Sequence, residues 1–211
     1  MSELGRRLGQ RFARLTTNAV VRQPALWRLF RPLTRFQFDR IAHSWTAMRS
    51  SDAFAALGRA LEALPAPPER VLDLGTGTGL AAFAVARRFP DASVFGTDIA
   101  EEMLAEARAA TPLELAERVR FETADAARLP FAPAAFDLVV LANMIPFFDE
   151  LARVTAPGGH VLFSFSGGEE TPIWVPPGRL RRELARRGFA DFADFQADRA
   201  TAFLARKRER A

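Results

Sequence analysis

Val71-Leu72-Asp73-Leu74-Gly75-Thr76-Gly77-Thr78-Gly79 is the stretch that decides how this chain folds. A short aliphatic run leads directly into three alternating glycines, and Leu80 to Phe89 continues as an alanine-rich helical segment. Glycine takes the positive φ that a tight strand-to-helix turn demands and leaves the backbone open to a ligand. The loop amides and the helix N-terminus together make a site for a carboxylate or phosphate. The next strand, Ser93 to Asp98, ends on a carboxylate 19 residues beyond Gly79, where it can accept both ribose hydroxyls of an adenosine-type cofactor. The dinucleotide fingerprint requires a small residue where this chain has Leu80, so the loop is a G-x-G-x-G preceded by Asp73.

Working outward, strands and helices alternate after Pro65-Ala66-Pro67-Pro68, a connector that cannot continue a helix. Val71–Leu74, Ser93–Asp98, Val119–Thr123, Leu138–Leu141 and His160–Phe165 read as strands, with helices at Leu80–Phe89, Glu101–Ala110, Phe148–Thr155 and Arg179–Arg187. Pro157-Gly158-Gly159 ends the third of those helices, and Phe192–Gln196 with Thr201–Arg206 reads as a hairpin. The expected architecture is α/β: a Rossmann-like, seven-stranded, mainly parallel sheet with a C-terminal antiparallel hairpin, helices on both faces and an N-terminal helical extension. Residues 1–64 form the extension or lid and residues 65–211 the core. Within the extension Leu4, Leu8, Phe12 and Leu15 recur at helical spacing, Pro24 interrupts, a second short segment carries Trp27, Phe30 and Leu33 with Pro32 disturbing it in turn, and a third helix runs from about Ser51 to Leu64.

With 49% apolar and 26% charged residues, 211 residues make one domain with a substantial core. The absence of cysteine excludes disulfides, zinc-thiolate sites and thiol nucleophiles, no metal is expected, and the absence of tyrosine removes the phenol as a base. The stretch Leu138 to Phe148, apolar but for Asn143, is about half of the ~20 residues a membrane span needs, and no leader pattern follows the first arginines. The expectation is a soluble cytoplasmic protein.

The motifs resemble, in order, those of the class I S-adenosylmethionine-dependent methyltransferases. Asp73 with the glycine loop resembles the first motif and Val94-Phe95-Gly96-Thr97-Asp98-Ile99 the ribose-binding motif. Thr123 to Phe131 is similar to the adenine-binding motif, Phe136 to Val140 to the fourth strand, and Leu151 to Gly159 to the turn into strand five. The resemblance covers about residues 69–207. It implies that Asp73 orients the methionine ammonium, that amides around Gly75, Gly77 and Gly79 face the methionine, and that Asp98 binds the ribose. It further implies Ile99 against the adenine, Asp125 accepting from the adenine amino group, the Ala126 backbone completing that edge, and Asn143 lining the side that faces methyl donor and acceptor.

Methyl transfer from a sulfonium needs positioning more than a dedicated nucleophile. His160, at the start of a strand, reads as structural. His43 lies in Phe38-Asp39-Arg40-Ile41-Ala42-His43-Ser44-Trp45, which resembles the entry segment of quinone-biosynthesis C-methyltransferases and their small-molecule relatives, with Trp45 and Thr46 in place of Tyr and Asp. His43 is therefore a candidate catalytic or acceptor-contacting residue, with a helix-surface histidine as the alternative. Trp45 and Met48 either line an apolar acceptor pocket or pack as core, and Phe147 is a further pocket candidate. Asn143-Met144-Ile145-Pro146-Phe147 lacks the proline that amino-methyltransferases carry directly after Asn.

The net charge of +4 is unevenly spread: residues 1–40 hold nine arginines against Glu3 and Asp39, whereas residues 41–178 are acidic overall. Peripheral membrane contact through residues 1–35, nucleic-acid binding, or a solvated lid face would each account for the basic start. No RNA-binding motif is appended, which weighs against nucleic acid. The reading is a methyltransferase for a small apolar acceptor, with an RNA or protein methyltransferase, or a non-catalytic cofactor-binding module, as alternatives.

Overall fold

The computed structural model describes residues 3–45 and 54–209. Three N-terminal helices, α1 (Glu3–Arg22), α2 (Trp27–Trp45) and α3 (Ala55–Glu62), precede the sheet. The strands are β1 (Arg70–Leu74), β2 (Ser93–Asp98), β3 (Val119–Thr123), β4 (Phe136–Ala142), β5 (Thr155–Phe165), β6 (Phe189–Ala197) and β7 (Ala200–Lys207). Between them lie α4 (Leu80–Arg88), α5 (Glu101–Ala109), α6 (Phe148–Val154) and α7 (Pro177–Ala185). The strand order is β3-β2-β1-β4-β5-β7-β6, parallel from β3 to β5, with β7 antiparallel to both β5 and β6. The seven-stranded sheet with its terminal hairpin is therefore as the sequence leads one to expect.

The strand order reverses between β1 and β4, which opens a crevice at their carboxyl ends. Both strands are covered on both faces: Val71 to Leu74 and Leu138 to Leu141 are all fully buried. Alternation divides these residues between two cores. Val71, Leu138 and Val140 join the cluster under α3 and α4, while Leu72, Leu74, Val139 and Leu141 join the one under α6 and α7. α3 buries Ala56, Leu57, Ala60 and Leu61 in the first cluster, together with Ala202 and Leu204 of β7.

Two local expectations are corrected. α2 runs through Pro32 without interruption. It forgoes the one hydrogen bond Pro32 cannot donate, and its buried inner face holds it in place. β5 begins at Thr155, directly after α6, and not at His160. Phe136 already pairs with Thr155, and a register shift between Phe136 and Leu138 accommodates Gly158 at φ 78° inside the strand. Lys207 of β7 donates to the carbonyls of Ala152 and Thr155, which satisfies the end of α6 from across the sheet. Residues 51–53, where the third helix is expected to start, lie outside the described residues.

Candidate functional site

The turn from β1 to α4 is built from three residues in the left-handed region: Gly75, Gly77 and Gly79 have φ of 71°, 55° and 82°. Gly75 and Thr76 both donate their amides to the Thr97 carbonyl at the end of β2, at 2.8 and 2.9 Å. Asp73, fully buried in β1, accepts from the Thr76 hydroxyl at 2.6 Å. A Cβ on Gly75 would stand 2.5 Å from the Met144 sulfur, so the loop closes against the segment after β4. Gly96 carries a similar constraint that reading the motif did not single out: a Cβ there would meet the Phe121 ring at 2.5 Å and the Thr76 hydroxyl at 2.8 Å. A glycine in the middle of a strand is its signal.

Asp98 stands at the end of β2 and lines the crevice. One carboxylate oxygen accepts from the Gly77 amide at 2.9 Å and the other from the Ala100 amide at 3.0 Å. Each oxygen thus keeps acceptor capacity for a further donor. Burial raises the Asp98 carboxyl above its ordinary value, and the amides of Ala100, Gly77 and Ile99 only partly offset it.

The crevice is roofed by the first two helices. Phe12, Ala13 and Thr16 of α1 and Trp27, Thr34, Gln37 and Phe38 of α2 line it opposite Gly75, Gly77, Thr97, Asp98, Ile99 and Ala126. Asn143 and Met144 close one end. Asn143 sits at φ 56°, and its side chain is fixed by Ser166: its Oδ1 accepts from the Ser166 amide at 3.0 Å and its Nδ2 donates to the Ser166 hydroxyl at 3.1 Å. Thr16 and Thr97 are among the lining residues, and their hydroxyls are buried without a hydrogen-bond partner among the described residues.

Asp125 has more partners than its motif suggested. Its carboxylate accepts from the Trp27 indole N–H at 2.8 Å, from Arg31 at 3.0 Å and from the Ala127 amide at 3.0 Å, so it fastens α2 to the loop after β3. The other end of that loop is gripped by Arg153, which donates to the carbonyls of Phe131 and Leu129 and pairs with both oxygens of Glu150. Burial alone would raise the Glu150 carboxyl, but Arg153 and the Leu129 amide hold it below the ordinary range.

Other candidates are placed elsewhere. His43 does not reach the crevice: its side chain is 83% exposed and pairs with Glu106 of α5, because α2 turns its opposite face inward. His160 sits on β5 across from Arg206, and burial with that neighbour lowers its pKa. Phe147 is a core residue, 4% exposed and edge-on to Trp27 at 5.4 Å, and not one of the residues lining the crevice. Trp45 ends α2, and Met48 lies outside the described residues. Among the described residues no three His, Asp or Glu are grouped to hold a metal ion.

Residues 71–159 match the family model of a methyltransferase domain. A demethylmenaquinone methyltransferase of Thermus thermophilus is 45% identical over 107 residues, 47% of this chain and 48% of that protein. A malonyl-[acyl-carrier protein] O-methyltransferase of Halorhodospira halophila is 34% identical over 148 residues, 66% of this chain and 50% of that protein. The chain spans about half the length of these curated relatives. Among solved structures, an S-adenosylmethionine-dependent methyltransferase from Aquifex aeolicus superposes with a TM-score of 0.64 at 15% identity, covering 78% of this chain and 97% of the other, and so shares the fold. Motif order, sheet topology and these matches agree on a methyltransferase domain at residues 71–159, in a chain that shares the fold of S-adenosylmethionine-dependent methyltransferases.

Proposed function

We propose that the chain transfers a methyl group from S-adenosylmethionine to a small, largely apolar acceptor held under α1 and α2. One observation carries this reading: a single crevice has the glycine loop and Asp98 on its floor and Phe12 and Phe38 on its roof. The residues present fit the cofactor. Gly75 and Gly77 line the crevice and bring no side chain into it, and the carboxylate of Asp98, which lines it too, retains acceptor capacity toward a diol.

Asp98 would hold the ribose hydroxyls, Ile99 and Ala126 the adenine, and Asp73 with the loop amides the methionine end. S-adenosylmethionine, when bound, supplies a methyl group on a cationic sulfur. The chain's own contribution is positional. Thr76, fixed by Asp73, shapes the loop; Asn143, clamped by Ser166, defines the wall next to the acceptor; α1 and α2 exclude water. No histidine is among the described residues lining the crevice, which supports a rate enhancement through alignment and water exclusion. Alignment of this kind can account for about 7–11 kcal/mol of barrier. Relatives named for a demethylmenaquinone and for a malonyl-[acyl-carrier protein] support an acceptor with carbon–oxygen functionality.

Calorimetric titration with S-adenosylmethionine and S-adenosylhomocysteine tests the site. Binding is expected for the wild type and loss for Asp98→Ala; equal binding by the variant refutes the assignment. Incubation with radiolabelled cofactor and separated lipid, metabolite, RNA and protein fractions then tests the acceptor. Label in the lipid or metabolite fraction is expected, whereas label confined to RNA or protein removes the small-acceptor reading.

A further inference from the structure

The outer face of α2 is unlike the rest of the surface. Leu29, Leu33 and Phe36 recur at the spacing of one helical face and are 73%, 52% and 58% exposed. Single exposed leucines are ordinary, but three in line along one helix are not. Arg28, Arg35 and Arg40 are exposed beside them, and the Arg40 guanidinium lies 5.6 Å over the Phe36 ring. On the opposite face of the same helix, Trp27, Thr34 and Phe38 line the crevice.

We propose that this face docks on an anionic lipid bilayer, with Leu29, Leu33 and Phe36 in the interfacial layer and the flanking arginines against lipid phosphates. The charge decides the occupant. α2 carries Arg28, Arg31, Arg35 and Arg40, all exposed, against one acid, Asp39, so a two-fold pairing of this face with a second copy would set like charges together, while an anionic membrane complements them. Arginine suits this place because its stem packs on apolar surface while its head stays at the phosphates. Among the described residues no helix is long and apolar enough to cross a membrane, and contact of this kind needs none. The docking would put the crevice roof against the lipid, from which an apolar acceptor enters; in that respect alone it rests on the function proposed above.

The full chain is floated with vesicles of phosphatidylcholine alone and of phosphatidylcholine and phosphatidylglycerol in equal parts. Binding to the phosphatidylglycerol vesicles is expected to be roughly tenfold or more stronger than to phosphatidylcholine, and to fall with added salt. A Leu29→Ser/Leu33→Ser/Phe36→Ser variant is expected to bind them roughly tenfold or more weakly, because its apolar anchor is gone. Affinity of that variant for S-adenosylhomocysteine stays that of the wild type, since the three side chains lie outside the crevice, and this separates a failed surface from a failed site. Absence of binding to phosphatidylglycerol vesicles, or equal binding by the variant, overturns the proposal. Self-association that the variant abolishes, in a protein that ignores vesicles, assigns the face to a second copy and overturns it as well.

Discussion

Replacing Trp27 by phenylalanine keeps an aromatic ring beside Phe147 and deletes the indole N–H that reaches Asp125 at 2.8 Å. Hydrogen bonds to charged groups contribute about 1.5–3 kcal/mol. Trp27 is only 3% exposed, which favours a large value, but Asp125 keeps Arg31 and the Ala127 amide and its side chain is 23% exposed, which favours a smaller one. A coupling of about 1.5–2 kcal/mol is therefore expected from the cycle Trp27→Phe, Asp125→Ala and the double variant, which cancels the separate cost of trimming the indole. At about 2–4 °C per kcal/mol for a chain of this size, the coupling alone corresponds to about 3–8 °C in Tm, to which trimming the indole adds in the single variant Trp27→Phe. Thermal unfolding gives the cycle, and amide hydrogen exchange along α2 shows whether the loss falls on that helix. A coupling below about 0.5 kcal/mol, within ordinary additivity, would refute the argument that this bond fastens α2 to the sheet.

Affinity for S-adenosylhomocysteine should weaken on acidification at a pH above the ordinary aspartate range, because burial raises the Asp98 carboxyl and a bound diol favours its ionised form. Asp98→Asn should flatten that dependence in calorimetry; a persistent dependence would assign it to another group. Thr16→Val should stabilise the protein by about 1 kcal/mol, since the Thr16 hydroxyl is buried without a partner and valine has the same shape; a lower urea midpoint would show that the hydroxyl is satisfied. Gly79→Ala should cost about 2–4 kcal/mol. A left-handed alanine is strained, and its Cβ would lie 2.9 Å from both Phe83 and Phe121; a shift in urea midpoint at constant slope is the measurement.

What could be read from the chain without coordinates was local or periodic. Val71 to Gly79 announces its turn because positive φ and close approach both demand glycine, and Leu138 to Leu141 announces a central strand because it is apolar on both faces. Partnerships across long sequence separations were not readable. The bond between Trp27 and Asp125 joins residues 98 positions apart, and nothing near either shows that the carboxylate ties down a helix. His43 illustrates the other limit: its neighbourhood resembles an active-site entry, but a helical residue's direction depends on which face the helix buries. Ala42, beside it, is the one that turns inward, against Ala100 and Met103. Pro32 misled for a related reason, since a single missing hydrogen bond is outweighed by the packing of the helix around it.

The placement of β7 between β5 and β6 orders events during synthesis. The ribosome delivers β6 before the strand that joins it to the sheet exists, so Phe189–Ala197 must wait for Ala200–Lys207 before it gains its hydrogen-bonded neighbour. In that interval β5 presents an open edge of Val161, Leu162 and Phe163. Chains arrested before residue 200 are the species in which that edge can find a strand from another molecule, which makes the last strand a guard against aggregation as much as a part of the sheet.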